Sequence, residues 1–271
     1  MYLAEKVMPK LGMGTFRLEG EIAYQSVKMA LEIGFRHIDT AQIYGNEAEV
    51  GQAIADSKIQ RDELFVTTKV WNAQLNHAEF IESVNQSLNK LQLSSVDLLL
   101  IHWPSPENGE PMQEYLTELK NAKTAGLAKH IGVSNFTISN LKDAMKILNK
   151  EEIFTNQVEV HPYLTNQKLR DFCKQQGIHV TAYMPFAVGK VLKDQTIIDI
   201  AQRHQVSAAE VVIAWELAHS MSTIPSSTKR KNLEANFKAV NLKLTEEEIK
   251  IIDNLDCGDR QAIPDFAPEW D

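Results

Sequence analysis

The sequence predicts an α/β fold, the (β/α)8 or TIM barrel, and three observations predict it. Short apolar runs recur along the chain, amphipathic stretches separate them, and no phosphate-binding glycine fingerprint follows any run. The runs occupy residues 11–16, 37–40, 64–70, 96–102, 130–134, 155–160, 179–183 and 222–225. Val96-Asp97-Leu98-Leu99-Leu100-Ile101 is the clearest. Runs this continuous suit strands buried on both faces, as in a parallel sheet covered by helices. Eight strands alternating with helices fit a closed barrel or an open, doubly wound sheet. A nucleotide-binding open sheet normally carries Gly-x-Gly-x-x-Gly after its first strand. Here Gly12-Met13-Gly14-Thr15-Phe16-Arg17 lacks the third glycine and lies at the start of the chain. The barrel is favoured.

The stretches between the runs read as helices. Residues 21–33 place Ile22, Val27, Ala30, Leu31 and Ile33 mainly on one side, and residues 77–91 repeat the pattern through Phe80, Ile81, Val84, Leu88 and Leu91. Gly34, Gly126 and Gly177 follow predicted helices, where a left-handed C-terminal cap is expected. The last helix starts at Thr245, with Glu248 three residues on to complete a capping box. No Gly/Ser linker and no shift of composition divides the chain, so residues 1–271 are expected to form one barrel domain.

Composition narrows the partners. With 44% hydrophobic and 24% charged residues, the chain can bury a sizeable core and remain soluble. A net charge of −8 argues against broad nucleic-acid or anionic-membrane binding, although a local basic site stays compatible with it. Cys173 and Cys257 are far apart and not spaced as metal ligands, which suits free, buried thiols in a reducing compartment. Residues 1–14 lack the hydrophobic stretch of a secretory signal, and no run is long enough to span a bilayer. A cytoplasmic protein is expected.

In a (β/α)8 barrel the active site forms at the C-terminal ends of the strands. Asp39 and Tyr44 follow the second run, Lys69 ends the third and His102 ends the fourth. Neighbouring strands would gather these four groups within ~10 Å. Taken singly, each has a structural reading: a helix cap at Asp39-Thr40, a surface charge at Lys69, a core histidine at His102, a loop anchor at Tyr44. Their joint placement suggests chemistry. An ordinary phenol is a poor acid at neutral pH. An ammonium ~4 Å away would favour the phenolate by at most about 4 kcal/mol. Asp39 is expected to pair with Lys69, keep it charged and offset part of that field, leaving a modest net lowering at Tyr44. His102 would donate a hydrogen bond to a carbonyl oxygen. The set suits protonation of that oxygen while hydride reaches its carbon.

These residues, in this order, resemble the aldo-keto reductases: Asp39-Thr40-Ala41 with Tyr44, Thr68-Lys69, and Ile101-His102-Trp103. Gly132-Val133-Ser134-Asn135-Phe136 and Asn156-Gln157-Val158-Glu159-Val160-His161-Pro162 carry the same resemblance, which covers essentially the whole chain. Within the family it is greatest to the bacterial 2,5-diketo-D-gluconate reductases, the B type in particular. The resemblance implies an NADPH-dependent reductase in which Tyr44 is the general acid, Lys69 and Asp39 tune it, and His102 positions the carbonyl. It also implies that Ser134, Asn135 and Gln157 hold the nicotinamide carboxamide, that Tyr183 stacks on the ring, and that Thr15, Ser227 and Asn236 contact the cofactor. Ser134-Asn135 has a structural alternative as the cap of a helix over residues 138–148.

The adenosine end departs from the family pattern. In Ile224-Pro225-Ser226-Ser227-Thr228-Lys229-Arg230-Lys231-Asn232, Ser226 stands in place of the usual lysine and Asn232 in place of the usual arginine. Met184 stands where a pyrophosphate-binding serine is common. Lys229 and Arg230 are read as the residues for the 2′-phosphate, because they start a helix whose N-terminus favours anions. The other reading is a solvated basic face. Phe16, Tyr44, Trp71, His102 and Trp103 are expected to line the substrate pocket, with Trp270 either added to the wall or left in a mobile tail. Larger members of the family it resembles often carry a long loop where this chain has the short segment 103–110, which implies an open site for small polar carbonyls.

By resemblance, substrates would be 2,5-diketo-D-gluconate, reduced to 2-keto-L-gulonate, and ketoaldehydes such as methylglyoxal. A monomer is expected, since a complete barrel with its own helical coat stands alone. One rival is a nicotinamide-binding, redox-sensing barrel that engages a partner and turns over slowly. A second is a Schiff-base aldolase using Lys69, which needs a depressed lysine pKa where Asp39 should raise it. A third is a metal hydrolase at Glu159 and His161, for which no further ligands gather in the sequence. No metal is expected.

Overall fold

The computed structural model describes residues 8–271; of residues 1–14, read above as lacking a secretory signal, the first seven lie outside the described residues. Eight parallel strands form one sheet in sequence order: β1 (Met13–Gly14), β2 (His37–Asp39), β3 (Phe65–Val70), β4 (Val96–Ile101), β5 (Ala128–Ser134), β6 (Ile153–Glu159), β7 (His179–Tyr183) and β8 (Ser222–Thr223). A parallel bridge between Leu11 and Thr223 joins the last strand back to the first. The helices are α1 (Gly20–Ile33), α2 (Glu47–Ser57), α3 (Phe80–Leu91), α4 (Met112–Thr124), α5 (Ile138–Ile147), α6 (Gln167–Gln176), α7 (Gln195–His204), α8 (Ala208–Ala218), α9 (Arg230–Lys238) and α10 (Glu246–Asp253). Among the described residues, no helix is long and apolar enough to cross a membrane.

Every residue of β3 and β4 is buried, which explains their unbroken apolar runs. Each buried Leu or Ile of β4 contributes roughly 1.5–3 kcal/mol by leaving water. The predicted first and last strands are longer than those that form, for a reason visible at the seam. Met13 and Gly14 pair with β2, whereas the Gly12 N–H bonds the Thr223 carbonyl at 2.8 Å and so belongs to the other side. The run 11–16 is shared between two neighbours. Gly12 and Gly14 therefore serve closure: a Cβ at Gly12 would sit 2.7 Å from His37 Nδ1, and one at Gly14 2.6 Å from the Ile224 carbonyl oxygen.

Helix ends follow the chemistry. Gly34, Gly126 and Gly177 all take positive φ. Thr245 and Glu248 make the capping box of α10. Thr137 and Asn140 make that of α5, so Ser134-Asn135 is not its cap. Helix α3 begins three residues later than predicted, because Asn76–Glu79 closes as a turn on the Asn76 side chain and carbonyl. Cys173 is buried as expected, but Cys257 is exposed, since it lies beyond α10 outside the core.

Candidate active site

Strand ends assemble the site in chain order. Asp39 closes β2, a 3₁₀ turn at Gln42–Tyr44 carries Tyr44 back over the barrel, Lys69 sits near the end of β3, and His102 follows β4. The Lys69 ammonium donates to Asp39 Oδ1 at 2.5 Å and to the Thr40 carbonyl at 2.8 Å. It lies 5.1 Å from the Tyr44 ring centroid. The other Asp39 oxygen accepts from Gln157 Nε2 at 2.7 Å. Tyr44 and His102 meet edge to face at 5.5 Å, and Trp71 flanks His102 at 5.3 Å.

Burial decides the protonation states. The enclosing walls push the Tyr44 phenol well up, and the Asp39 carboxylate acts in the same direction. This corrects the expected modest lowering: burial and the Asp39 carboxylate both disfavour the phenolate, and the phenol stays protonated. Burial also pushes the Lys69 ammonium down; Asp39 opposes this without fully restoring it. Asp39 does raise Lys69, as expected, but burial outweighs it and the net direction is down. Lys69 nevertheless has hydrogen bonds to two oxygens, a poor arrangement for a free amine nucleophile. His102 is held neutral, first by burial and then by Lys69. Its Nδ1 is enclosed without a partner. A neutral imidazole carries one N–H to donate.

A cavity of about 710 Å³ opens over these groups. Its walls include Thr15, Phe16, Trp71, Trp103, Ser134, Asn135, Gln157 and Tyr183, all predicted from the sequence. Ser134 Oγ donates to the Gln157 carbonyl at 2.8 Å, and Tyr183 Oη donates to Asn135 Oδ1 at 2.7 Å. Asn135, with φ of 62°, bonds the His102 carbonyl at 3.0 Å and ties the two regions together. The Tyr183 face beside amides and a hydroxyl is the donor set that a carboxamide-bearing aromatic ring requires.

The predicted adenosine-side residues sit elsewhere. Ser226 lines the cavity, but Ser227, Lys229, Arg230 and Asn236 are not among its walls. The Ser227 hydroxyl accepts the Lys229 N–H at 3.2 Å, Arg230 is ion-paired with Glu32, and Asn236 is buried in α9. Trp270 neither lines the cavity nor hangs free. It packs on Trp103 at 6.1 Å, and the Arg260 guanidinium stacks 3.6 Å from its ring.

Several functional neighbours escaped the sequence reading. Phe266 joins the wall from the tail, touching Trp71 at 5.8 Å and Trp103 at 5.7 Å. Buried Asn46 ties the loop after β1 to that after β2. Glu159 and His161 are bonded to each other at 2.8 Å, and the Glu159 carboxylate accepts the Gln261 and Ala262 N–H groups. That pair anchors the tail. Among the described residues, no group of three or more His, Cys, Asp or Glu is placed to hold a metal. The tail contacts leave no periodic pattern in the sequence.

The chain is similar to known proteins along most of its length. Residues 10–256 match the Aldo/keto reductase family. The chain is 50% identical over 265 residues to methylglyoxal reductase DkgB of Escherichia coli O157:H7, covering 97% of this chain and 99% of that protein. It is 39% identical to glyoxal reductase of Bacillus subtilis, covering 93% and 91%. A crystal structure provisionally assigned to 2,5-diketo-D-gluconic acid reductase B superposes with a TM-score of 0.94 at 41% identity, covering 97% and 94%. The chain belongs to the aldo/keto reductase family.

Proposed function

We propose that this protein is a cytoplasmic, monomeric, NADPH-dependent carbonyl reductase, with Tyr44 as general acid and methylglyoxal and 2,5-diketo-D-gluconate as substrates. One observation carries the reading. Tyr44, His102 and Asp39, the last paired with Lys69, lie at one cavity, whose adjoining wall is formed by Ser134, Asn135, Gln157 and Tyr183. Two relatives named for reducing methylglyoxal and glyoxal support small dicarbonyl substrates.

When bound, the reduced nicotinamide supplies a hydride to the carbonyl carbon. His102 donates its N–H to the carbonyl oxygen and orients it. Tyr44 gives that oxygen its phenolic proton as negative charge builds, and solvent later restores the proton. The Lys69 ammonium stabilises the phenolate left behind, and Asp39 holds the ammonium in place. The apolar walls strengthen each of these interactions by excluding water.

Toward the cofactor, Asn135, Gln157 and Ser134 would hold the carboxamide and Tyr183 would pack against the ring. Thr15, Ser227 and Asn236 are assigned to contacts with the cofactor, and Lys229 and Arg230 to its 2′-phosphate. The test follows the loss of NADPH absorbance with methylglyoxal and with 2,5-diketo-D-gluconate. Turnover of either supports the reading, and tight cofactor binding with no turnover of any carbonyl would favour the redox-sensing barrel instead.

A further inference from the structure

Tyr44 rides on a turn that is anchored two residues before it and two residues after it. Gln42–Tyr44 form one 3₁₀ turn, closed by the Tyr44 N–H on the Ala41 carbonyl at 3.1 Å and the Gly45 N–H on the Gln42 carbonyl at 3.2 Å. On the far side, buried Asn46 donates to the Thr15 carbonyl at 2.9 Å and the Leu18 carbonyl at 2.8 Å. On the near side the anchor is the Gln42 side chain. Its oxygen accepts the Trp71 N–H at 2.9 Å, and its nitrogen donates to Ser83 Oγ at 3.1 Å and Ser87 Oγ at 3.2 Å, both in α3. A primary amide offers two N–H groups and one oxygen, and here all three find partners.

The choice of Trp71 as partner links this anchor to the chemistry. Tyr44 and Trp71 both meet the His102 imidazole edge to face, at 5.5 Å and 5.3 Å. Gln42 thus ties the backbone that carries the phenol to the backbone that carries the second ring on His102. The Tyr44 ring itself is held by packing, with Phe16 at 5.2 Å and the Lys69 ammonium at 5.1 Å. Ring packing is less directional than a hydrogen bond, so the turn beneath the ring sets where the phenol oxygen lies. Gln42 does not line the cavity, and its influence passes through Tyr44 and Trp71.

We propose that Gln42 is a positioning residue for the proton transfer: by tying the Tyr44 turn to Trp71 and to α3, it holds the phenol at the carbonyl oxygen that His102 orients. This rests on the reading of Tyr44 as the proton donor. A reacting group displaced by ~1 Å can cost up to about 10²-fold in rate. With the Asn46 anchor intact, loss of the Gln42 anchor should cost about tenfold.

The test is a double-mutant cycle on the single-turnover rate of NADPH oxidation by methylglyoxal, with the parent, Gln42→Met, Tyr44→Phe and the double variant. Gln42→Met keeps the bulk of the side chain and removes its three hydrogen bonds. It should lower the rate about tenfold in the parent background, with NADPH affinity by fluorescence quenching unchanged. In the Tyr44→Phe background the same substitution should cost less than about twofold, because the group it positions is gone. Ser83→Ala/Ser87→Ala keeps the Trp71 bond and should give a smaller loss with the same dependence on Tyr44; it carries the test should Gln42→Met fail to fold. An unchanged rate in Gln42→Met would overturn this proposal alone. So would an equal loss in both backgrounds, which assigns Gln42 a general structural role. A Tyr44→Phe variant as fast as the parent would overturn the Tyr44 reading and this inference together.

Discussion

Lys69 Nζ lies 2.5 Å from Asp39 Oδ1, and both side chains are sealed from solvent. Desolvating two charges is costly, and the pair repays that cost only while both members are present and hydrogen-bonded. The Thr40 carbonyl and the Gln157 amide supply the remaining bonds. Strands β2, β3 and β6 thus meet at one ion pair.

Asp39→Asn should be strongly destabilising, because it strands an ammonium in the core. The expected loss is about 3–5 kcal/mol, read as a lower urea midpoint with the same m-value. A loss under about 1 kcal/mol would mean that Lys69 sheds its proton at little cost.

The pH profile of kcat/KM should be flat through neutrality. Tyr44 is pushed above the ordinary phenol range and stays protonated, while His102 is pushed below the ordinary imidazole range and stays neutral. Neither group of the free protein titrates near pH 7. An alkaline limb near pH 8 would show the Lys69 field winning over burial at Tyr44.

Stability should fall in mild acid. Burial lowers His37 and His179 from 6.5 to about 4. Above pH 6.5 both are neutral, folded or unfolded, and nothing is lost. Between 6.5 and about 4 the unfolded chain binds the protons and the folded one does not, so stability decreases as pH falls. Each histidine contributes on the order of 3 kcal/mol across that window. Urea midpoints at pH 7 and pH 5 measure it, and equal midpoints would contradict it.

The strands were legible because barrel strands are buried on both faces, so β3 and β4 read directly as apolar runs. Tyr44, Lys69 and His102 were legible because position at a strand end is a property of local sequence. Their protonation states were not, since desolvation at Tyr44 and Lys69 comes from walls contributed by distant segments. The first and last strands blurred where one run serves two neighbours across the seam. The tail was opaque for a similar reason. The Glu159 carboxylate fixes Gln261 and Ala262, and the Asp271 carboxylate accepts the Ile138 N–H at the start of α5. Such single long-range bonds leave no periodic pattern.

Removal of Trp270 and Asp271 should therefore loosen the wall that Phe266 completes. The expected result is a several-fold rise in KM with the Lys69–Asp39 chemistry intact, hence a smaller change in kcat. Equal KM and kcat in the truncated and parent proteins would show that the tail rests on Trp103 without shaping the site.

Tyr44→Phe tests the central claim most directly, with NADPH oxidation measured on methylglyoxal and NADPH affinity measured by fluorescence quenching in the same samples. The expected result is a fall in kcat of about 10²–10⁴ with cofactor affinity retained. A rate within a few-fold of the parent would contradict Tyr44 as the proton donor.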